Sequence, residues 1–239
     1  MSGRVINVDY SPLAGDMSDL WTRVAGCLGS EFKMRNPSDG LAGLEYLEDE
    51  EDWVTGEAFD ASQFSLDEFV RLNLGLALDC SLWSHSTELH TRVSLYRYPP
   101  QPRGAPCLSV RFGTLLDRQL FPNVAQLKAE EEPKAALTRI CQSLANATQA
   151  TAFIVYKDDE EHLKPIDPEQ FARRLLSWPK QSAGAEGLMR ELETPPKERV
   201  GDYNGISRKF LSRQALEAVW GVRPAIHETT SGFVILDLL

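Results

Sequence analysis

A chain of 239 residues, 42% hydrophobic and 25% charged, has an ordinary globular composition and is long enough to bury a core without disulfides or metal. Its 25 Lys and Arg against 35 Asp and Glu give a formal net charge of −10, which argues against nucleic acid as a ligand, because phosphate binding needs clustered bases. Nothing approaches the ~20 apolar residues of a membrane span, and the opening Met-Ser-Gly-Arg-Val-Ile-Asn-Val-Asp-Tyr lacks the apolar stretch of a signal peptide. The expectation is a soluble cytoplasmic protein with no membrane partner.

Arg4 to Tyr10 alternates, with Ile6, Val8 and Tyr10 on one face, and reads as an opening strand closed by Pro12 and Gly15. Ser18 then caps a helix carrying Leu20, Trp21, Val24, Cys27 and Leu28 at helical spacing, ended by Gly29. Asn36 to Gly40 is a turn cluster, and Leu41, Leu44 and Leu47 continue as a short helix or strand into an acidic stretch. Ser65 with Glu68 forms a capping box for a short helix bearing Leu66, Phe69, Val70 and Leu72. Leu74 to Trp83 reads as a buried strand. Thr91 to Tyr98 and Cys107 to Phe112 both alternate, and the proline-rich loop between them makes them an antiparallel pair.

Pro133 opens a helix through Asn146 with Leu137, Ile140, Cys141 and Leu144 on one stripe. Thr151 to Tyr156 is a β-rich run suited to a central strand. Asp167-Pro168-Glu169 starts another helix, with Phe171, Leu175, Leu176 and Trp178 following and Pro179 stopping it. Two flexible connectors follow, over Gln181 to Gly187 and Thr194 to Glu198. Ser212 caps a helix with Leu216, Val219 and Trp220, ended by Gly221, and Gly232 to Leu239 closes the chain as a buried strand. The pattern predicts an α+β fold: a mixed, largely antiparallel sheet with helices packed on one face, in a single domain over 1–239, with 115–133 as the place where a division could fall.

The charge is unevenly placed. The first sixty residues hold thirteen acids against four bases, leaving 22 acids and 21 bases in the rest. The centre of the excess is Glu45 to Asp60, where Glu45, Glu48, Asp49, Glu50, Glu51, Asp52, Glu57 and Asp60 surround Tyr46, Trp53 and Phe59. An acidic run is most often a solvated face, and the three rings fit a core stripe as well as a recognition surface. The functional reading is that these carboxylates, with Trp53 among them, bind a basic protein partner, since such a field speeds encounter by on the order of 10 to 10³-fold.

Other chemistry has weaker support. Cys27, Cys80, Cys107 and Cys141 are widely separated with no CxxC pair, and read as buried free thiols, with disulfides the alternative in an oxidising compartment. Cys80, His85, Glu88 and His90 mix metal-ligand types, but His85 and His90 are five apart and share neither a helix face nor a strand face. Asp158-Asp159-Glu160-Glu161 after a strand, beside Lys157, could hold Mg²⁺, although a solvated turn explains them as well. No GxSxG, GxGxxG or GxxxxGK[ST] pattern is present. The expectation is a non-enzyme with no metal and no cofactor; the alternatives are a small metal-dependent hydrolase or nuclease, or an acidic adaptor for a secreted effector.

The order Val-Ile-Asn-Val-Asp-Tyr-Ser-Pro-Leu, a helix over Ser18–Leu28 with Trp21, a turn and acidic loop, and a final Gly-Phe-Val-Ile-Leu-Asp-Leu strand resembles the immunity protein 52 family of bacterial polymorphic toxin systems. The resemblance implies a single-domain cytosolic α+β protein that binds and neutralises a cognate toxin. In that family the toxin is often a nuclease, delivered by a secretion system such as type VI.

Overall fold

The computed structural model describes residues 5–11, 13–34, 40–49, 52–84, 87–98, 105–113, 131–158, 166–181, 200–221 and 224–239. They form ten strands, β1 (Val5–Ser11), β2 (Leu41–Leu47), β3 (Asp52–Ala58), β4 (Gly75–Ser84), β5 (Thr87–Tyr98), β6 (Ala105–Phe112), β7 (Ala152–Asp158), β8 (Tyr203–Ser207), β9 (Ala225–Glu228) and β10 (Phe233–Asp237). Five helices accompany them: α1 (Met17–Phe32), α2 (Leu66–Leu72), α3 (Glu131–Thr148), α4 (Pro168–Gln181) and α5 (Arg213–Trp220). The strands make one sheet in the order β3-β2-β4-β5-β6-β1-β7-β8-β10-β9, and the pairings are antiparallel throughout.

The opening strand lies near the middle, between β6 and β7. Its period of two sends Ile6, Val8 and Tyr10 into the larger core and Asn7, Asp9 and Ser11 to the other face, all of them buried. The larger core joins the first face to α1, α2 and α3 through Leu20, Trp21, Val24, Phe69, Leu137, Ile140 and Leu144. On the opposite face, Ala152, Ile154 and Tyr156 of β7 pack with Phe171 and Leu175 of α4 and Leu216 of α5. The α+β class with an antiparallel sheet is as expected, and helices stand on both faces rather than one.

Several boundaries differ from the sequence reading. Helix α1 begins two residues earlier than Ser18 implies, because the Asp16 carboxylate caps it, accepting from the Asp19 N–H (2.9 Å), while Ser18 donates to Asp67 (3.2 Å). It also runs through Gly29, where an added Cβ would meet nothing within 4 Å, and stops at Lys33, which turns left-handed (φ 50°) and returns its N–H to the Leu28 carbonyl. Helix α4 passes through Pro179 instead of ending there. Proline cannot donate to the carbonyl four residues back, here Leu175. The Trp220 indole N–H of α5 takes that carbonyl at 2.7 Å. Strands β3, β8 and β9 have no counterpart in the sequence reading. At Gly205 of β8, a Cβ would fall 2.1 Å from the Phe153 ring, so only glycine lets the ring lie across the strand. The turn cluster at 36–39 and both connectors, over 182–187 and 194–198, lie outside the described residues.

Candidate functional site

The acidic stretch folds as the hairpin β2–β3, with β3 forming one edge of the sheet. Two residues of β3 oppose one of β2 between the Leu44↔Thr55 and Ala42↔Ala58 pairs, a bulge at Gly56 that bends the edge. Glu45, Glu48, Asp49, Asp52, Glu57 and Asp60 are all exposed; Glu50 and Glu51 lie outside the described residues. The carboxylates are not equivalent. Asp60 accepts from both the N–H and the hydroxyl of Ser62 (2.8 and 2.7 Å), which holds its pKa below the usual carboxylate value and ties it to a local turn. Asp52 accepts from the neighbouring Trp53 N–H at 2.7 Å. Glu45 lies across Gly56, with its carboxylate where a Cβ would be. Glu48 and Asp49 are in the turn beyond the paired residues.

The three rings are fastened to the sheet. Trp53 packs edge-on to Tyr46 (5.3 Å) and tilted to Tyr96 (5.7 Å), against Leu44, Ala77 and Cys107. A Cβ on Gly75 would sit 3.1 Å from its ring, so glycine makes the seat. Phe59 turns to the larger core, edge-on to Phe69 (5.3 Å). Trp53 therefore anchors the hairpin, and only its half-exposed part is offered outward. A brace that sequence reading missed holds β3 from further in. Arg92 of β5 reaches across β4 and β2 to donate to Thr55 at 2.7 Å, and also pairs with Asp79 at 3.4 Å. Small residues in the strands it crosses, Ala42 and Ala77, leave the path open, a signal visible only once register is known.

Among the described residues, the remaining candidates do not come together. His90 faces Ser81 (3.2 Å), while Cys80 belongs to the opposite face and packs against the larger core; His85 lies outside the described residues. Burial pushes the thiols of Cys27 and Cys80 up to about 12 and raises that of Cys141 further. All four cysteines are free. Asp158 ends β7, and Asp159, Glu160 and Glu161 lie outside the described residues. Among the described residues no group of three or more His, Cys, Asp or Glu could hold a metal ion, and no helix is long and apolar enough to cross a membrane. A cleft of about 690 Å³ opens between the first turn of α1 and the end of α2, lined by Asp16, Asp19, Asp67, Arg71 and Leu72; Leu72 is 66% exposed.

No known family model and no curated protein matches the chain. Among solved structures it is similar to the Pseudomonas aeruginosa T6SS protein PA0821, with 12% sequence identity and a TM-score of 0.42. The similarity covers 98% of this chain and 66% of that one, so the chain spans just under two thirds of its length. A likeness at this level assigns neither a fold family nor a role.

Proposed function

We propose that this chain is a cytoplasmic, non-enzymatic immunity protein that binds a cognate secreted antibacterial toxin, a nuclease with a basic substrate cleft, and neutralises it. The observation that carries the reading is the β2–β3 hairpin. Eight carboxylates and no base fall within Glu45–Asp60 of an otherwise nearly neutral chain, and Glu45, Glu48, Asp49, Asp52 and Glu57 are exposed on a hairpin at one edge of the sheet. Protection of a sheet edge from self-pairing accounts for charges on β3 itself. It does not account for Glu48 and Asp49, which lie in the turn beyond the paired residues. Exposed ion pairs contribute only about 0.2–1 kcal/mol each, whereas pairs desolvated by a partner couple at about 1.5–7 kcal/mol. Tight binding thus requires the partner to cover the hairpin.

The resemblance of the chain layout to the immunity protein 52 family supports the same reading. The test is to express the protein encoded beside this chain's gene in bacteria with and without this chain. The reading expects growth arrest relieved by this chain and a stoichiometric complex on purification. Persistent arrest with this chain present in full amount, or a neighbour without toxicity, would contradict it.

A further inference from the structure

The cleft between α1 and α2 opens on the same end and the same side of the sheet as one face of the acidic hairpin. Strand β2 passes the start of β4 at the Leu44↔Gly75 pair, so Glu45 onward, with the paired residues of β3, projects beyond that end. The cleft lies at the same end, since Asn73 and Leu74, which line it, lead directly into β4. Asn73 also lies against Gly43 of β2, which joins the cleft to the hairpin. Alternation assigns the sides. Leu44 and Trp53 pack on the face away from the larger core, whereas Leu41 belongs to that core. Glu45 and Leu47 therefore take the side of the larger core, with Val54 and Asp52 paired opposite them. That is the side on which α1 and α2 stand.

A single exposed leucine means little. Leu72, however, is 66% exposed beside a cleft of about 690 Å³, and Leu74, Leu47 and Val54 are half-buried around it. Exposed carboxylates frame this apolar centre, Asp16, Asp19 and Asp67 in the cleft and Glu45 and Asp52 on the hairpin. Two bases line the cleft with them, Arg71 and Arg97. Arg71 reaches Asp67 only at 3.9 Å, with both side chains well exposed. Helix capping and the dipole account for Asp16 and Asp19, but not for the exposed leucine or for acid on the facing hairpin. An apolar centre inside a polar rim is the anatomy of a protein-binding surface. We propose that the cleft is the second contact of the partner-binding surface and seats a basic segment of the partner, an apolar side chain on Leu72 and Leu74 with lysine or arginine beside it. The inference rests on the hairpin facing a partner, and names which side of the hairpin that partner covers. Charge selects the segment. An acidic one meets five carboxylates with two bases to answer them, and a wholly apolar one buries those carboxylates unpaired.

The test is isothermal titration calorimetry of the full chain against the protein encoded beside its gene, for wild type, Leu72→Lys, Thr22→Arg and Leu238→Lys. Thr22 is exposed on the α1 wall of the cleft, and Leu238 is 40% exposed outside it. Each variant adds one positive charge, so general repulsion of a basic partner acts on all three alike. Leu72→Lys and Thr22→Arg are expected to bind at least tenfold more weakly and Leu238→Lys within twofold, each with the circular dichroism and melting of wild type. Either cleft variant decides the outcome if the other does not fold. Cleft variants that bind within twofold of wild type overturn the cleft and leave the hairpin reading standing. Equal weakening by Leu238→Lys also overturns it, because added charge alone then explains the loss. Absence of binding by wild type contradicts the hairpin reading, and the role of the cleft falls with it.

Discussion

Replacing Trp220 with phenylalanine should damage the second helical layer in a way that depends on Pro179. The Leu175 carbonyl has lost its helical donor to proline and is served by the Trp220 indole at 2.7 Å. Leu175 is 1% exposed, so water is a poor substitute. Removing the indole N–H leaves an orphaned carbonyl worth about 1–2 kcal/mol. The smaller ring adds under about 1 kcal/mol of lost apolar burial. The sum, about 2 kcal/mol, corresponds to a melting decrease of roughly 4–8 °C for a chain of this size. Pro179→Ala supplies a backbone donor to the same carbonyl, so in that background Trp220→Phe should cost about 1 kcal/mol less. Urea unfolding followed by far-ultraviolet circular dichroism on the four forms of this cycle measures the coupling. Additive effects within about 0.3 kcal/mol would show that the proline and the indole do not share the carbonyl.

Three further outcomes follow from the same geometry. Trp53→Ala, removing a half-buried ring from its seat over Gly75, should cost about 2–3 kcal/mol in the same assay; a change under about 0.5 kcal/mol would return Trp53 to the role of a pure surface residue. Tyr156→Phe should cost about 1.5–3 kcal/mol by taking the hydroxyl, which donates at 2.8 Å, from the buried Asp9 carboxylate, and unchanged stability would refute that bond. The thiols of Cys27 and Cys80 are raised from 9.0 to about 12 by burial, so the unfolded chain ionises first as pH rises. Their contribution to stability is whole below pH 9 and is lost progressively between pH 9 and about 12. Native protein at pH 8 should accordingly react with a thiol reagent far more slowly than protein in urea, and equal rates would contradict the burial.

Much of the sheet was legible because its strands obey simple periodicity. Ile6, Val8 and Tyr10 announce β1, and the Thr91–Tyr98 and Cys107–Phe112 segments pair as their alternation and the intervening prolines suggest. The helix starts at Ser65 and Ser212 were readable from local capping chemistry. What failed did so where tertiary context overrides propensity. Asp52–Ala58 is acidic and contains glycine, a poor strand by composition, yet it pairs because Trp53 finds a pocket against Tyr96 and Arg92 reaches Thr55. Gly29 does not end α1, since its backbone stays helical and the turn falls to Lys33. Pro179 does not end α4, because the indole that satisfies Leu175 comes from 45 residues away.

The acidic stretch itself was visible from charge counting, but the division of labour within it was not. Asp60 and Asp52 serve local backbone and hydroxyl donors, and the aromatic rings hold the hairpin to the sheet. Glu48, Asp49 and Glu57 remain the outward charges most available to a partner. The burial of Asn7 and Asp9 was hidden for a different reason. Both alternate with apolar residues, and alternation of that kind ordinarily marks a solvent face.

The most direct test of the partner-binding account is the dissociation constant between this chain and the neighbouring gene's protein, measured at two salt concentrations. The forms compared are wild type and the triple variant Glu48→Lys, Asp49→Lys, Glu57→Lys. These side chains are exposed, so the variant should fold with unchanged stability. The account predicts that it binds at least about 100-fold more weakly, and that the wild-type complex weakens with salt far more than the residual variant complex does. A folded variant that binds within twofold of wild type, with the same salt dependence, would contradict it.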